Sequence, residues 1–494
     1  MISVEEYQRH DALGLAELVH SKQVSAAELL EAAIARCEQV NPKINAVVRP
    51  LFERARQRTT QSLSGPFAGV PFLIKDLINE LAGVPTTNGS AFFKDYVPNE
   101  DSELIRRYQA AGLVIFGKTN TPELGLTPWT EPALYGPARN PWDLTRTSGG
   151  SSGGSGAAVA AGIVPVANGG DGGGSIRVPA SACGLVGLKP TRGRIPTGPS
   201  RVDMWQGAAT EHVLSRTVRD TAAMLDATGA PEPGSGHVFP QEAPFLQQIQ
   251  NAPRKLRIAF SSKPMMGEGM DPECIKGVEA TAKLLLSLGH EVVEDAPQIP
   301  REEFTVAFIR MICMETAADF AAGALTMKRK FDPSLVEAGT EALRRIGSAM
   351  SAADAGVARR VLDLHTRRVA RWFENYDLLL QPTLGMRPFK IGDRHPGALE
   401  KFQMAMLNHL PIAGLANNPA LLLGVGKKTF EWMTNTGVYN VTGQPSISLP
   451  LHWSADGLPI GMMLTARYAQ DGLLLQTAAQ LEQVQPWRDR RPKI

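Results

Sequence analysis

The sequence has few cysteines, no long hydrophobic run and little net charge. Its 494 residues include only four cysteines, Cys37, Cys183, Cys274 and Cys313. These lie far apart and form no CxxC pair, which argues against a disulfide framework and against a structural zinc site. The longest run of small apolar residues, 157–167, is too short to span a bilayer. A formal net charge of +2 lacks the basic excess expected of a nucleic-acid-binding protein.

The sequence shows no signal peptide at its start and no cluster of metal ligands. Residues 1–6 lack the basic start and the apolar stretch of a signal peptide. We therefore expect a cytoplasmic protein that binds neither membranes nor nucleic acid. The sequence contains no cluster of metal-ligand residues, so we expect no cofactor and no metal. The oligomeric state is not readable from the sequence, and a homodimer is one alternative.

Short apolar runs alternate with helical patterns along the whole chain. Residues 69–74, 113–116 and 164–167 are apolar runs typical of buried strands, and 446–449 and 460–464 predict a late pair of strands. This alternation predicts an α/β fold with a mixed central β-sheet flanked by helices.

The beginning of the chain is predicted to be helical. Ser25 and Glu28 form a capping box, and the amphipathic pattern that follows is expected to end near Pro42. No internal repeat and no domain break is visible. We therefore expect a single domain over residues 1–494, with an N-terminal helical segment of about residues 1–60 packed on it.

Two clusters of glycine and serine stand close together. Residues 147–156 read TSGGSSGGSG, a composition typical of a flexible linker. However, an Ala-rich helical pattern starts at Ala157, and a second cluster, DGGGS, follows at residues 171–175. Two clusters that bracket one packed unit are not a spacer. Consecutive N–H groups in a glycine turn can face one concavity and bind negative charge, which suits the oxyanion of acyl transfer.

Ser175 ends the second cluster, and its hydroxyl is a weak nucleophile unless a base removes its proton. The nine histidines have no motif context, look like surface or turn residues and are not accompanied by a Gly-x-Ser-x-Gly elbow, so a Ser-His-Asp triad is disfavoured. Lys75 ends an apolar strand, where burial can lower its pKa from about 10.4 towards neutrality. A solvated lysine is the alternative. Spacing alone does not pair Lys75 with Ser151 or with Ser175.

Six stretches together resemble the amidase-signature family. They are GVPFLIKD (69–76), GKTN (117–120), GGSSGGS (149–155), DGGGSIRVPA (171–180), CGLVGLKP (183–190) and NVTGQP (440–445). The likeness spans from about residue 5 to residue 487. Within the family, the chain looks closest to the bacterial 6-aminohexanoate cyclic-dimer hydrolases.

The resemblance implies a hydrolase that cuts the carbon–nitrogen bond of a small-molecule amide through an acyl-enzyme intermediate. It implies a Ser-Ser-Lys triad, in which Ser175 matches the nucleophile and Lys75 matches the base. Ser151 matches the serine between them, which sits on a cis peptide bond. Cyclic or linear 6-aminohexanoate-type amides are the implied substrates, but anilides, carbamates and esters stay open.

The resemblance also implies roles around the second glycine cluster. The backbone N–H groups around Gly172, Gly173 and Gly174 are implied to form the oxyanion hole. Asp171 and Arg177 flank the loop and are expected to hold it in shape, with a surface ion pair as the alternative. Since many family members carry a larger side chain after the aspartate, the three consecutive glycines leave the geometry of the hole less defined than the triad.

Other functions compete with this interpretation. Residues 112–119 fit the P-loop pattern, but a phosphate-binding loop needs an open loop between its two glycines. Here the residues between the glycines predict a strand, so this function is disfavoured. A subunit of a tRNA-dependent amidotransferase shares the same signature and would pass ammonia from glutamine to a partner. A membrane-anchored lipid amidase is weakened by the missing membrane segment. Residues 126–135, Trp205 and Cys313 are candidates either for an acyl pocket or for core packing.

Overall fold

The computed structural model describes residues 2–240 and 242–494. Its strands are β1 (Val47–Pro50), β2 (Pro71–Lys75), β3 (Val114–Thr119), β4 (Arg139–Asn140), β5 (Asp143–Thr147), β6 (Val166–Asp171), β7 (Val186–Lys189), β8 (Thr210–Ser215), β9 (Arg257–Phe260), β10 (Glu291–Glu294), β11 (Leu378–Pro382), β12 (Ser446–Trp453) and β13 (Pro459–Ala466). Within the described residues, one 11-stranded sheet has the order β1-β3-β2-β6-β8-β7-β12-β13-β11-β9-β10, and β4 pairs with β5 separately.

Helices surround this sheet. They are α1 (Val4–Arg9), α2 (Ala12–His20), α3 (Ala26–Ile44), α4 (Phe52–Thr59), α5 (Glu103–Ala110), α6 (Gly153–Ala160), α7 (Arg177–Cys183), α8 (Val218–Thr228), α9 (Phe245–Gln248), α10 (Pro272–Ser287), α11 (Arg301–Thr326), α12 (Ala338–Ala349), α13 (Ala352–Trp372), α14 (Ala398–His409), α15 (Pro419–Trp432), α16 (Thr436–Thr442) and α17 (Asp471–Val484). The predicted α/β fold with a mixed sheet and flanking helices is confirmed. In the described part of the chain, no helix is long and apolar enough to cross a membrane.

The pairing around β2 and β6 determines where the loops of the glycine clusters meet. β2 runs parallel to both β3 and β6, whereas β6 pairs with β8 in antiparallel register. Every residue of β2, β3 and β6 is buried, as expected of strands covered on both faces. The carboxyl ends of β2 and β6 therefore lie at the same edge of the sheet.

The N-terminal segment is less uniformly helical than predicted. The capping box at Ser25 is confirmed, but α3 continues through Pro42 to Ile44. Proline lacks only its own N–H, so near the end of a helix it removes one hydrogen bond, and the left-handed Asn45 ends the helix instead. The strand β1 follows and pairs with the edge of β3. The boundaries of a single domain over residues 1–494 stay a prediction.

The helix that follows the first Gly/Ser cluster starts within that cluster, four residues before the predicted start. α6 begins at Gly153, whereas the sequence pointed to Ala157. Gly154 explains the early start, because its N–H donates to the carbonyl oxygen of Asn120 at 3.1 Å. A Cβ atom at Gly154 would lie 2.7 Å from both the Ala46 and the Asn120 carbonyl oxygens. The glycines thus let α6 pack directly against the backbone that follows β3.

Substituting Gly154 by alanine is expected to destabilise the fold by about 1–3 kcal/mol or more, since the added methyl meets rigid backbone. Gly356 is the matched control: it lies within α13, and a Cβ atom at this position would have no neighbour within 4 Å. Gly356→Ala is expected to leave stability unchanged or to raise it by up to about 1 kcal/mol. Urea unfolding followed by tryptophan fluorescence measures both. Equal effects of the two substitutions would contradict the close packing of α6.

Candidate active site

Lys75 and the second glycine cluster meet at the carboxyl edge of the sheet. Lys75 is the last residue of β2, and Asp171 is the last residue of β6, from which the DGGGS loop continues. The loop ends where α7 begins at Arg177. Because β2 and β6 are parallel neighbours, the side chain of Lys75 and the glycine loop lie side by side.

The amino group of Lys75 contacts the first glycine cluster. Its Nζ atom lies 2.8 Å from Ser151 Oγ and 3.5 Å from the carbonyl oxygen of Gly170. Only 1% of Lys75 is exposed. Burial lowers the pKa of Lys75 to about 8, although the carboxylates of Glu211 and Asp171 act in the opposite direction. Near pH 7 a minor fraction of Lys75, roughly one molecule in ten, is therefore neutral and able to accept a proton, and this fraction increases with pH.

Two other lysines are equally buried but serve elsewhere. Lys118 forms an ion pair with Asp76, with 3.3 Å between Nζ and Oδ1. Lys118 belongs to β3. Most of the P-loop pattern at residues 112–119 is therefore a buried strand, as predicted. Burial lowers the pKa of Lys189 to about 7, and its Nζ donates to the carbonyl oxygen of Pro190 at 2.9 Å. Neither lysine has a hydrogen bond to a serine hydroxyl among the described residues.

The backbone around Ser151 is positioned by close contacts of its glycines. The peptide bond between Gly150 and Ser151 is cis, as the resemblance implied. Gly149 has a φ of 82°, and a Cβ atom at Gly150 would lie 2.7 Å from backbone atoms of Trp129. Thr130 Oγ1 donates to the carbonyl oxygen of Gly149 at 2.9 Å. These contacts aim the Ser151 hydroxyl at Lys75.

Ser175 lies in the turn between β6 and α7. It is half-buried, and its hydroxyl has no hydrogen bond to another described residue. Its carbonyl oxygen accepts a hydrogen bond from the N–H of Ser152 at 3.2 Å. This bond ties the two Gly/Ser clusters together directly beside Ser151. The structure therefore brings Lys75, Ser151 and the backbone of Ser175 into one site.

A buried ion pair closes the glycine loop. Arg177 Nε and Nη2 donate to the two carboxylate oxygens of Asp171 at 3.0 and 2.9 Å, and both side chains are fully buried. Asn440 Nδ2 donates to the carbonyl oxygen and to Oδ1 of Asp171 at 2.8 and 2.9 Å. The surface ion pair considered from the sequence is therefore wrong, because helix α16 and the sheet cover both charges.

The charge of Asp171 is strongly stabilised in this arrangement. Burial alone would raise the pKa of the Asp171 carboxyl, but the Arg177 guanidinium outweighs it, with further help from Asn440. The pKa consequently lies well below its ordinary value. Asp171 also accepts hydrogen bonds from the backbone N–H groups of Ile176 and Arg177 at 3.1 and 3.3 Å. The carboxylate thus organises both the start and the end of the loop.

The glycines between Asp171 and Ser175 leave backbone donors unused. No hydrogen bond among the described residues uses the N–H of Gly172, Gly173 or Gly174. Thr436 Oγ1 donates to the carbonyl oxygen of Gly173 at 2.6 Å. Since N–H and C=O point in opposite directions across a trans peptide, this bond orients the N–H of Gly174 away from α16. The loop therefore offers donors of the kind that an oxyanion requires.

One flank of the loop is apolar. A Cβ atom at Gly172 would lie 2.7 Å from the ring of Trp205. A Cβ atom at Gly173 would lie 3.0 Å from Met433 Cε and 3.6 Å from Phe308 Cζ. Larger side chains would therefore collide with this wall. The three consecutive glycines, a departure noted in the sequence, fit the space left by Trp205, Phe308 and Met433.

Several polar residues at the site were missed from the sequence. Asn440 was part of a recognised motif, but nothing in the pattern assigned it to Asp171. Thr436 gave no signal. Glu211 is a carboxylate within the otherwise uncharged buried strand β8, and such a residue in an apolar strand is the signal that could have indicated it.

The predicted exposure of the histidines was partly wrong. His212, His290 and His365 are buried, because each lies on a strand, a strand end or a helix that faces the core. Burial lowers the pKa of His212 to about 3, which keeps its imidazole neutral. No group of three or more His, Cys, Asp or Glu side chains that could hold a metal ion occurs in residues 2–240 and 242–494.

Comparison with known proteins gives concordant matches along the chain. The family model described as Amidase matches residues 28–475. The 6-aminohexanoate-cyclic-dimer hydrolase of Pseudomonas sp. (strain NK87) is 40% identical over 493 residues, covering 98% of this chain and 96% of that protein.

Solved structures agree with the sequence matches. The structure of a 6-aminohexanoate cyclic dimer hydrolase complexed with substrate superposes with a TM-score of 0.88 at 38% identity, covering 98% of this chain and 99% of that one. A bacterial aryl acylamidase of the amidase signature family superposes with a TM-score of 0.85 at 26% identity, covering 97% of this chain and 96% of that one.

Replacing Arg177 by methionine is expected to lower the free energy of unfolding by about 3–5 kcal/mol at pH 7, because the Asp171 carboxylate stays buried without its partner. The difference in free energy of unfolding between the variant and the unmodified chain should be smaller at pH 5. Burial raises the pKa of an unpaired Asp171, so its carboxyl group takes up a proton in the folded variant. Urea titrations at the two pH values measure this. Arg106, in an exposed pair with Glu103, is the control, and its replacement should cost less than about 1 kcal/mol. A deficit that does not change with pH would contradict the role of the ion pair.

Proposed function

Since the chain belongs to the amidase family, we propose that it hydrolyses amides through a Ser-Ser-Lys triad formed by Ser175, Ser151 and Lys75. Hydrolysis of the carbon–nitrogen bond of amides is the activity that the family and its hydrolase relatives support. The observation that carries the triad is the 2.8 Å contact between Lys75 Nζ and Ser151 Oγ in a fully buried setting. It supports a proton path that leads from the loop of Ser175 to a base of lowered pKa.

The first half of the reaction forms the acyl-enzyme. Neutral Lys75 accepts the hydroxyl proton of Ser151, while Ser151 accepts the proton of Ser175. Ser175 Oγ attacks the amide carbon, so the carbonyl π bond opens and its oxygen becomes an oxyanion. The N–H groups around Gly172, Gly173 and Gly174 donate to that oxyanion. When the carbonyl reforms, the carbon–nitrogen bond breaks, and the amine leaves with the proton returned by Lys75 through Ser151.

The second half of the reaction releases the acid. Water takes the place of the amine and loses a proton along the same path to Lys75. The resulting hydroxide attacks the ester carbon of the acyl-enzyme, and a second oxyanion forms in the same loop. Its collapse breaks the bond to Ser175 Oγ, which regains a proton from Ser151. The enzyme returns to its starting state with no net change in proton count at the triad.

We further propose neutral aliphatic amides of the 6-aminohexanoate type as substrates. The apolar wall of Trp205, Phe308 and Met433 beside the glycine loop suits methylene chains and offers no charge to pair with a charged acyl group. A relative with 40% identity is a 6-aminohexanoate-cyclic-dimer hydrolase, and a structural relative is complexed with that substrate. An amidotransferase subunit is the second candidate, because it shares the same signature motifs.

The nucleophile and its base can be tested without knowledge of the substrate. A fluorophosphonate probe is expected to form a single covalent adduct on Ser175, located by peptide mapping. The adduct should be absent in Ser175→Ala and at least about 10²-fold slower to form in Lys75→Ala, because the base is lost. Hydrolysis of 6-aminohexanoate cyclic dimer, followed by release of primary amine, should decrease in parallel.

Ser155 provides the control for this experiment. Its Oγ donates to the carbonyl oxygen of Asn168 at 2.6 Å and is directed away from the glycine loop, so Ser155→Ala should keep the adduct. An adduct on another serine would sink the proposed triad. A labelled protein that is inactive on simple amides alone, but releases ammonia from glutamine with a partner, would favour the amidotransferase candidate.

Replacing Thr436 by valine is expected to lower kcat about 10-fold or more with little change in KM, because the Gly173–Gly174 peptide loses the bond that orients its N–H. The loss should stay below the roughly 10²–10³-fold that follows complete removal of an oxyanion donor. Steady-state kinetics of amide hydrolysis measure both constants.

Two variants accompany Thr436→Val. Thr436→Ser keeps the hydroxyl and should restore kcat. Thr442→Val, in the same buried helix, removes a hydroxyl whose one hydrogen bond among the described residues goes to the carbonyl oxygen of Val438 at 3.0 Å, so its kcat should equal that of the unmodified chain. Equal kcat values for Thr436→Val and Thr442→Val would mean that the hydroxyl of Thr436 does not orient the loop.

A further inference from the structure

Glu211 is a buried carboxyl group with no cationic partner. It is 4% exposed, and no Lys, Arg or His nitrogen lies within 4.0 Å of its carboxylate among the described residues. Its Oε2 atom accepts hydrogen bonds from Asn79 Nδ2 at 2.8 Å and from Asn168 Nδ2 at 3.0 Å. Burying a carboxyl group without an ion pair costs free energy, which these hydrogen bonds partly offset.

The hydrogen bonds of Glu211 lead to Lys75. Asn168 Oδ1 accepts from the backbone N–H of Lys75 at 3.1 Å and from Asn79 Nδ2 at 3.0 Å. Asn168 and Asn79 therefore hold the carboxyl group of Glu211 and the backbone of Lys75 in one network. A shift of the Lys75 backbone would break its hydrogen bond to Asn168, which also holds the carboxyl group of Glu211.

The sheet register links Glu211 to Lys75 through Gly170 as well. Glu211 on β8 pairs with Gly170 on β6, and the carbonyl oxygen of Gly170 lies 3.5 Å from Lys75 Nζ. Gly170 has no side chain, and a Cβ atom there would collide with Glu211 Oε1. The glycine thus leaves room for the Glu211 carboxyl group beside the residue whose carbonyl oxygen contacts Lys75.

The ionisable groups that face Lys75 are Asp171 from β6 and Glu211 from β8. Asp171 is neutralised by its bidentate pair with Arg177. Glu211 itself faces Lys75, Asp171 and the hydroxyl of Tyr108 on α5, and only Lys75 of these is basic. Of these two carboxyl groups, Glu211 is therefore the one that has no cation in direct contact. Burial raises the pKa of Glu211 to about 7, whereas the positive charge of Lys75 favours the ionised form, so Glu211 carries its charge most fully when Lys75 is protonated.

We propose that Glu211 is a positioning residue that serves as the buried counter-charge of Lys75 and stabilises the ammonium group that forms when Lys75 takes the proton of Ser151. This inference rests on the proposed function. The proton moves from Ser175 to Ser151 and from Ser151 to Lys75, and no proton is transferred to Glu211. The carboxylate acts through space on the charge that appears at Lys75 Nζ and disappears when the amine is protonated.

The test is the pH dependence of kcat/KM for amide hydrolysis in the full chain and in Glu211→Gln. Hydrolysis should increase with pH along an acid limb as Lys75 becomes neutral. Without the counter-charge Lys75 loses its proton more easily, so the limb of Glu211→Gln should move to lower pH by about one unit. Lys75 is then also a weaker base, and the plateau value should fall about 10-fold.

Two variants and a second readout distinguish this role from a structural one. Glu211→Asp keeps the charge and should return the limb towards that of the unmodified chain. Glu80→Gln is the control, because Glu80 and Glu211 line one small cavity, but the Glu80 carboxylate accepts a hydrogen bond from the Tyr96 hydroxyl at 2.8 Å. The acid limb of Glu80→Gln should not move. The rate of fluorophosphonate labelling of Ser175 should follow the same pH shifts without any substrate.

The outcomes separate the two proposals. If the unmodified chain has a clear acid limb and the limb of a folded Glu211→Gln lies at the same pH, the role of Glu211 is overturned and the triad stays intact. If Glu211→Gln lowers the plateau of kcat/KM without shifting the acid limb, the role of Glu211 is also overturned, because such a result indicates a packing effect. An unmodified chain without Ser175 labelling overturns the triad, and with it the role of Glu211.

Discussion

The ion pair between Asp171 and Arg177 holds together three segments on which the site depends. It joins the end of β6 to the first residue of α7, so that the intervening loop cannot open without separating two buried charges. Asn440 extends the pair to α16, which also reaches the loop through Thr436. The strength of this constraint explains why three consecutive glycines do not leave the loop undefined. Their conformational freedom is restricted from outside the loop.

The charges around the site are arranged in two ways. Two pairs of opposite charges are in direct contact, Asp171 with Arg177 and Asp76 with Lys118. We assign neither pair a proton-transfer step. Lys75 is different, because its nearest polar neighbours are a hydroxyl and a carbonyl oxygen rather than a carboxylate. A buried amine without a direct ion pair titrates closer to neutrality than a paired one. Burial lowers the pKa of Lys118 and Lys189 as well, so Lys75 differs from them in its contact with a serine hydroxyl.

The sequence allowed the fold to be predicted where local patterns determine structure. The apolar runs of β2, β3 and β6 indicated buried strands, and the Gly/Ser clusters indicated close backbone approach. The mistakes arose where distant residues decide. α6 begins early because the backbone of Asn120 packs against Gly154, and the buried histidines are covered by elements far along the chain.

The polar network of the site was the least predictable part. Thr436 lies 263 residues from the Gly173 carbonyl oxygen that it contacts, and Asn440 lies 269 residues from Asp171. Neither spacing leaves a local pattern, since the contact exists only after α16 has packed on the sheet. Lys75 and Ser151 were named through a resemblance, whereas their spacing of 76 residues carried no information about contact.

The two outermost strands of the sheet have a consequence for how copies of the chain can associate. β1 is four residues long and ends at Pro50, which has no N–H to offer a neighbouring strand. β10 is equally short and begins and ends with exposed glutamates, Glu291 and Glu294. Both margins therefore resist extension of the sheet from one molecule into the next, which is a common route to fibrous aggregates.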